Sequence, residues 1–146
     1  MKVIVVGVDG SETSKEALRF ALAEARLRGC SVRAVHAWQY PVSDAWAGMP
    51  VNIYDVVEEN AKAQLDGVVA EVAGEGAKEV EQVVVVGAAA SALIDNSQDA
   101  ELLVVGSRGL GGFRGLLLGS VSQQCVHHAT CPVVVIPHVE DEQGKT

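Results

Sequence analysis

Residues 102–128 read LLVVGSRGLGGFRGLLLGSVSQQCVHH, which is the order of a buried β-strand, a glycine-rich loop and a helix. The apolar run Leu102–Val105 predicts the strand, and the segment Ser120–His128 predicts the helix. The window 106–120 contains six of the protein's 15 glycines, two arginines and no acidic residue. Glycine lets backbone N–H groups approach an anion, and a helix N-terminus adds partial positive charge. This stretch therefore favours an α/β fold with an anion site after the strand.

The glycine loop matches neither of two common phosphate-binding patterns. It lacks the Gly-Lys-Ser/Thr of a Walker A loop, and it does not read Gly-x-Gly-x-x-Gly after a first strand. Its own pattern is Gly106-x-x-Gly109, then nine residues, then Gly119-Ser120. The stretch Ser120-x-x-Gln123 also fits a capping box. A flexible loop that ends in a well-capped helix therefore stays open as the alternative to phosphate binding.

Length, composition and charge bound the class of protein. The chain has 146 residues, of which 49% are hydrophobic and 21% charged, as in one globular domain. Its 19 acidic residues against 11 basic ones argue against a nucleic-acid partner, because affinity for the phosphate backbone depends on basic patches. No apolar stretch approaches the roughly 18 residues that span a bilayer. We expect a cytoplasmic protein with no membrane contact, and buried thiols at Cys30, Cys125 and Cys131.

Five valine-rich runs predict strands, and the segments between them predict helices. The predicted strands are Val3–Val8, Ser31–Trp38, Val83–Val86, Leu102–Val105 and Val133–Ile136. The predicted helices run from a capping box at Thr13-x-x-Glu16 to Gly29, and over Val56–Val72, Ala89–Ser97 and Ser120–His128. Continuous apolar strands joined by helical crossovers are typical of an open, doubly wound parallel sheet with helices on both faces. We expect one domain over residues 1–138, a long loop over 39–52 and a frayed acidic tail over 139–146.

Asp9 follows the first predicted strand, within the stretch Gly7-Val8-Asp9-Gly10-Ser11. Ligands of open α/β sheets bind outside the carboxyl ends of the strands. A carboxylate there can accept hydrogen bonds from a ribose or a base amine, or hold a metal ion near phosphates. The alternative is that Asp9 and Ser11 only cap the turn into the first helix. The ligand role gains support if the first and fourth strands are neighbours, because both loops then face one crevice.

The chain resembles the universal stress protein family over nearly its whole length. The resemblance is carried by VVGVDGS at 5–11, AVHAW at 34–38, SVSQQCVHHATCPVVVI at 120–136, and the spaced glycine signature, which is that of the ATP-binding branch. It implies a five-stranded sheet in the order 3-2-1-4-5. It also implies a homodimer that pairs through the last strand, Val133–Ile136, whose unpaired edge would need such a cover.

The resemblance also implies which residues contact a nucleotide. Adenine and ribose contacts fall on Val8, Asp9, Ala37 and Gly106. Phosphate contacts fall on Gly109, Gly119, Ser120, Val121 and Ser122, and Arg108 occupies a position that is commonly basic or polar. One departure is Ala89, where the family often has a proline after Gly87. His36 matches a family position and is expected to be a core histidine rather than a base.

Three functions of different classes follow. The leading hypothesis is a dimeric stress-response module that binds ATP, with Mg²⁺ or Mn²⁺ as an open question and with cyclic AMP or AMP as alternative ligands. The second is a slow ATPase or self-phosphorylating enzyme. The loop offers no P-loop lysine and no evident general base, so we expect hydrolysis, if present, to be slow. The third is a dimeric interaction protein that binds no nucleotide, against which the intact glycine signature counts.

Overall fold

The computed structural model describes residues 2–39, 53–108 and 118–138. Its elements in chain order are β1 (Val3–Gly7), α1 (Glu12–Arg28), β2 (Ser31–Trp38), α2 (Ile53–Ala73), a 3₁₀ segment (Gly74–Glu79), β3 (Val80–Val86), α3 (Ala89–Asn96), β4 (Leu102–Gly106), α4 (Ser120–His128) and β5 (Val133–Ile136). The five strands form one parallel sheet in the order β3-β2-β1-β4-β5. This confirms the strand order that the resemblance implied.

Three of the sequence predictions concern residues outside the described part. They are most of the long loop at 40–52, the middle of the glycine loop at 109–117 and the tail at 139–146. The domain boundary at residue 138 and the frayed tail therefore stay predictions. Within the described ranges, every helix is too short or too polar to cross a bilayer.

Helices cover the sheet on both faces, because successive side chains of a strand point to opposite sides. On one face, Ile4 and Val6 belong to a core that includes buried residues of α1 and α2. On the other face, Val3 and Val5 belong to a core that includes buried residues of α3 and α4. Ile4, Val5 and Val6 have no exposed surface. Burial on both sides explains why the strands are continuous apolar runs, and it confirms the doubly wound fold.

The N-cap of helix α1 lies two residues before the start of the predicted capping box. Its N-cap is Ser11, whose hydroxyl accepts a hydrogen bond from the Ser14 N–H at 3.1 Å. Thr13 lies inside the helix and is only 1% exposed, so its side chain packs instead of capping. The prediction at Thr13 was therefore wrong. The predicted end of the helix is confirmed, since Gly29 adopts the left-handed conformation with φ of 68°.

Several other boundaries also shift from their predicted positions. β3 begins at Val80 rather than at the predicted Val83. The polar residue Glu81 lies within this strand, where its carboxylate forms an ion pair with Arg33 of β2 at 2.7 Å. The other shifts are small: β1 ends at Gly7, β4 extends to Gly106, α2 spans Ile53–Ala73 and α3 ends at Asn96. A charged side chain at a sheet edge interrupts the apolar pattern without interrupting the ladder, which is why the pattern missed the start of β3.

The three cysteines are free thiols. Cys125 is buried as expected, whereas Cys30 and Cys131 are partly exposed. Burial, with a smaller effect of the nearby Cys131 thiol, raises the pKa of Cys125 to about 11. Cys125 is therefore protonated at neutral pH and acts as a small apolar core residue.

Replacing Leu18 by alanine should lower the free energy of unfolding by about 2–5 kcal/mol, because Leu18 in α1 is fully buried. Leu27 lies on the same helix and is 82% exposed, so Leu27→Ala is a matched control. We expect the control to change stability by less than about 0.5 kcal/mol. Urea denaturation of both variants measures the difference. Equal effects would contradict the buried face assigned to α1.

Candidate functional site

The carboxyl ends of β1 and β4 lie side by side at the centre of the sheet. Val6 of β1 is in register with Val104 of β4, and β1 pairs with β2 on its other side. The chain therefore continues from β1 to β2 on one side of this point and from β4 to β5 on the other side. In open α/β sheets, such a switch point forms a crevice that binds ligands. The ends of β1 and β4, after which the two stretches selected from the sequence begin, therefore lie side by side at one edge of the sheet.

On the β1 side, a hydrogen-bonded turn holds the Asp9 carboxylate. Its Oδ1 accepts from the Ser11 N–H at 2.9 Å and from the Ser11 hydroxyl at 2.6 Å. The Ser14 hydroxyl donates to the Ser11 carbonyl at 2.9 Å and is almost fully buried. The capping role that was the alternative for Asp9 and Ser11 is therefore present. It fixes a half-buried carboxylate where β1 ends.

On the β4 side, helix α4 begins without a side-chain cap. Gly119 is its N-cap, and the first helical bond joins the Gln123 N–H to the Gly119 carbonyl at 3.0 Å. The N–H groups of Ser120, Val121 and Ser122 precede that bond and have no partner within the helix. Such groups bind anions at helix N-termini. The predicted capping box was wrong, because Ser120 is already the first helical residue.

Ser107, which the sequence analysis missed, ties α4 to the sheet. Its carbonyl accepts from the Gly119 N–H at 2.6 Å, and the Ser122 hydroxyl lies at 2.9 Å from the same oxygen. The Ser107 N–H donates to the Ile136 carbonyl of β5 at 2.7 Å. The Ser122 hydroxyl, 2% exposed, also lies 3.0 Å from the Gly119 carbonyl. The Ser122 side chain is therefore used inside the fold, which leaves its backbone N–H as its candidate ligand contact.

Gly106 has a packing reason to be glycine that is independent of any ligand. A Cβ at this position would lie 2.7 Å from the Cγ2 of Thr13, closer than real carbon atoms approach. Thr13 is buried in α1, where its hydroxyl also lies 3.3 Å from His138 Nδ1. The absence of a side chain at the end of β4 lets α1 lie close to the sheet. The implied ribose contact of Gly106 stays a prediction.

The other predicted site residues lie along the same edge, apart from one that the structure does not describe. Val8 is buried, and Ala37 lies half-buried near the end of β2. Arg108 is half-buried, and its Cα lies 3.5 Å from the position of a Cβ on Gly119. Gly109 lies outside the described residues. The structure thus brings together Val8, Asp9, Ala37, Gly106, Arg108, Gly119, Ser120, Val121 and Ser122. Within 2–39, 53–108 and 118–138, His, Cys, Asp and Glu form no group of three suited to a metal ion.

His36 and Trp38 lie near the carboxyl end of β2. His36 is half-buried and its Nδ1 lies 2.8 Å from the Val8 carbonyl, as fits a satisfied core histidine. Trp38 is 9% exposed and belongs to the buried residues, so its side chain packs in the core.

The fold and this edge define an open α/β protein with a topological switch point between β1 and β4. The model of the universal stress protein family matches residues 1–137, and the chain belongs to that family. A universal stress protein of Mycolicibacterium smegmatis is 37% identical over 145 residues, which cover 95% of this chain and 49% of that protein. The chain spans about half the length of the curated relatives it matches.

Two similar solved structures contain nucleotides. One is a universal stress protein in complex with cAMP, 27% identical, with a TM-score of 0.71 over 95% of this chain and 98% of that one. The other is the universal stress protein from Archaeoglobus fulgidus in complex with dAMP. It is 30% identical, with a TM-score of 0.68 over 93% of this chain and 98% of that one.

Replacing Gly106 by alanine should destabilise the protein by about 1–3 kcal/mol, because the new Cβ would overlap Thr13. Thr13→Ser removes the methyl group in the way and keeps the hydroxyl. The double variant should therefore be more stable than the sum of the two single changes allows, by about 1 kcal/mol. Urea denaturation of the four proteins completes the cycle. Strictly additive effects would contradict the packing role.

Proposed function

We propose that this chain is a stress-response protein that binds an adenine nucleotide, ATP in the first place, in the crevice between β1 and β4. The observation that carries the proposal is the placement of three helix-initiating N–H groups, at Ser120, Val121 and Ser122, at the same sheet edge as the Asp9 carboxylate. N–H donors at a helix N-terminus suit phosphate oxygens, and a carboxylate suits ribose hydroxyls. The cAMP and dAMP complexes of related proteins support an adenine ligand.

The proposed site divides into two halves. Val8, Asp9, Ala37 and Gly106 contact the adenine and ribose, and Gly109, Gly119, Ser120, Val121 and Ser122 contact the phosphates. Arg108 supplies a positive charge near the phosphates, which matters in a chain of net charge -8. In the alternative role of Asp9, its carboxylate would hold a Mg²⁺ or Mn²⁺ ion that accompanies the phosphates instead of contacting the ribose. We further propose a cytoplasmic location, since free thiols are typical of a reducing compartment.

Mass spectrometry of the supernatant after denaturing the purified protein tests the proposal directly. We expect ATP or ADP at near-stoichiometric levels, or a rise in melting temperature when ATP is added to the empty protein, since a ligand that binds only the folded state stabilises it. Cyclic AMP and AMP, each with and without Mg²⁺, belong in the same assay. A clean supernatant together with an unchanged melting temperature for all of these ligands would overturn the proposal.

Gly119→Val should weaken ATP binding by about tenfold or more, because its two methyl groups would cover the N–H groups at the start of α4. Gly119 has φ of −75°, so no strain of the backbone is involved. Gly119→Ala is the control, since a Cβ there would make only ordinary contacts, 3.4 Å from the Ser107 oxygen. Isothermal titration calorimetry compares the two variants. Full affinity in the valine variant would mean that the phosphates bind elsewhere.

We also propose that two copies of the chain pair through β5. Backbone groups of this strand bond alternately to β4 and away from it. The Pro132 carbonyl accepts from the Leu103 N–H of β4 at 2.9 Å. The Ile136 carbonyl accepts from the N–H of Ser107, the residue after β4, at 2.7 Å. The backbone groups of Val133 and Val135 therefore point away from the sheet. An outward row of donors and acceptors on a half-buried valine-rich strand is a template for a second strand.

Val135→Pro should convert the dimer into a folded monomer, because it removes an outward N–H and leaves the bonds to β4 in place. Val134→Pro is the contrasting variant. Because the direction of the backbone alternates, the Val134 N–H points towards β4 like the groups of Pro132 and Ile136, so its loss should destabilise the fold itself. Light scattering after size exclusion gives the mass, and circular dichroism gives the fold. A Val135→Pro protein that stays dimeric, or a wild-type chain that is monomeric, would contradict pairing through β5.

A further inference from the structure

The ladder between β1 and β2 ends at a side chain. The Val8 N–H donates to the Val35 carbonyl at 2.9 Å, which continues the ladder past the end of β1. The next bond of a parallel ladder would join the Ala37 N–H to the Val8 carbonyl. Among the described residues, no backbone bond joins those two groups. Instead, His36 Nδ1 lies 2.8 Å from the Val8 carbonyl oxygen.

The contact with a carbonyl oxygen determines which nitrogen of the His36 ring donates a hydrogen bond. A carbonyl oxygen can only accept a hydrogen bond, so Nδ1 of His36 must carry the proton and donate. The imidazole therefore replaces the backbone N–H of the following residue as the partner of Val8. A side chain of the same strand has taken the acceptor that the strand's own backbone would otherwise use.

The backbone groups of Ala37 point towards the space beyond the end of β1. The Trp38 carbonyl accepts from the Gly87 N–H at 2.8 Å, so the backbone of Trp38 bonds towards the β3 side. Because the direction alternates along a strand, the N–H and C=O of Ala37 are directed towards the β1 side. At that level β1 has ended and its chain has turned away at Asp9. Ala37 thus presents one donor and one acceptor beside the switch point.

We propose that His36 is a positioning residue for the nucleotide base. By occupying the Val8 carbonyl, it stops the ladder one bond early and keeps the Ala37 N–H and C=O available for a ligand. A flat heterocycle with a ring-nitrogen acceptor next to an amino donor, as on adenine, matches that pair. Guanine presents a ring N–H next to a carbonyl, the reverse order, and does not match it. This inference rests on the proposed function and deepens it, because it assigns to His36 the role of keeping the backbone groups of Ala37 available to the base.

Two variants separate positioning from simple packing. His36→Leu removes the donor, which leaves the Val8 carbonyl free to pair with the Ala37 N–H and close the ladder. His36→Asn keeps a donor attached to Cγ, as Nδ1 is in histidine. We expect His36→Leu to weaken ATP binding by about tenfold and His36→Asn by less than about threefold, as for loss and retention of one hydrogen bond. Selectivity for ATP over GTP should fall in the leucine variant only.

Amide hydrogen exchange followed by NMR reads the same change without ligand. The Ala37 amide should exchange at least about tenfold more slowly in His36→Leu than in the wild-type or His36→Asn protein, since only the leucine variant can form the extra bond. A destabilised fold would instead speed exchange throughout the sheet. This direction distinguishes positioning from loss of packing.

The two measurements fail independently. If the wild-type protein binds no nucleotide, the proposed function is overturned, and the exchange rates still decide whether His36 holds the ladder open. If the Ala37 amide exchanges equally in the wild-type and His36→Leu proteins, the positioning role is overturned. The same conclusion follows if His36→Leu binds ATP with full affinity and full selectivity over GTP.

Discussion

Burial of β1 and β4 on both faces is the constraint on which the rest of the molecule depends. Side chains such as Val5 and Val104 are fully buried between helices, so the strands leave no room for polar groups along their length. Polar chemistry is thereby confined to the strand ends, where the chain turns into α1 and α4. The sheet order then decides which ends meet. Because β1 and β4 are neighbours, Asp9 and the start of α4 share one edge.

The glycines of the signature answer to different physical demands. Gly106 is small because α1 lies against the end of β4, and an added carbon would overlap Thr13. Gly119 has room for a carbon, since an added Cβ would make only ordinary contacts, and it is the N-cap of α4. Helix packing thus explains Gly106. It does not explain Gly119, for which the proposed phosphate site would account.

The fold was predictable from the sequence to the extent that its signals are local. Valine-rich runs and helical spacing located the strands and helices, and Gly29 located the end of α1. Contacts between distant residues left no such signal. The pairing of Thr13 with Gly106 and the two bonds received by Ser107 join residues that only the folded sheet brings together. The capping boxes failed for a related reason, since Ser11 and Gly119 supplied the caps and Thr13 was needed for packing.

Ser107 connects two regions that lie apart in the sequence, the start of α4 and the end of β5. Its carbonyl is bonded to the start of α4, while its N–H is bonded to the last residue of β5. A single residue therefore holds both the start of α4 and the end of β5. Under the proposed function, a nucleotide binds at the start of α4 and two copies pair through β5. Because thermodynamic coupling is reciprocal, a change that one event makes in the affinity of the other would then be returned by the same factor.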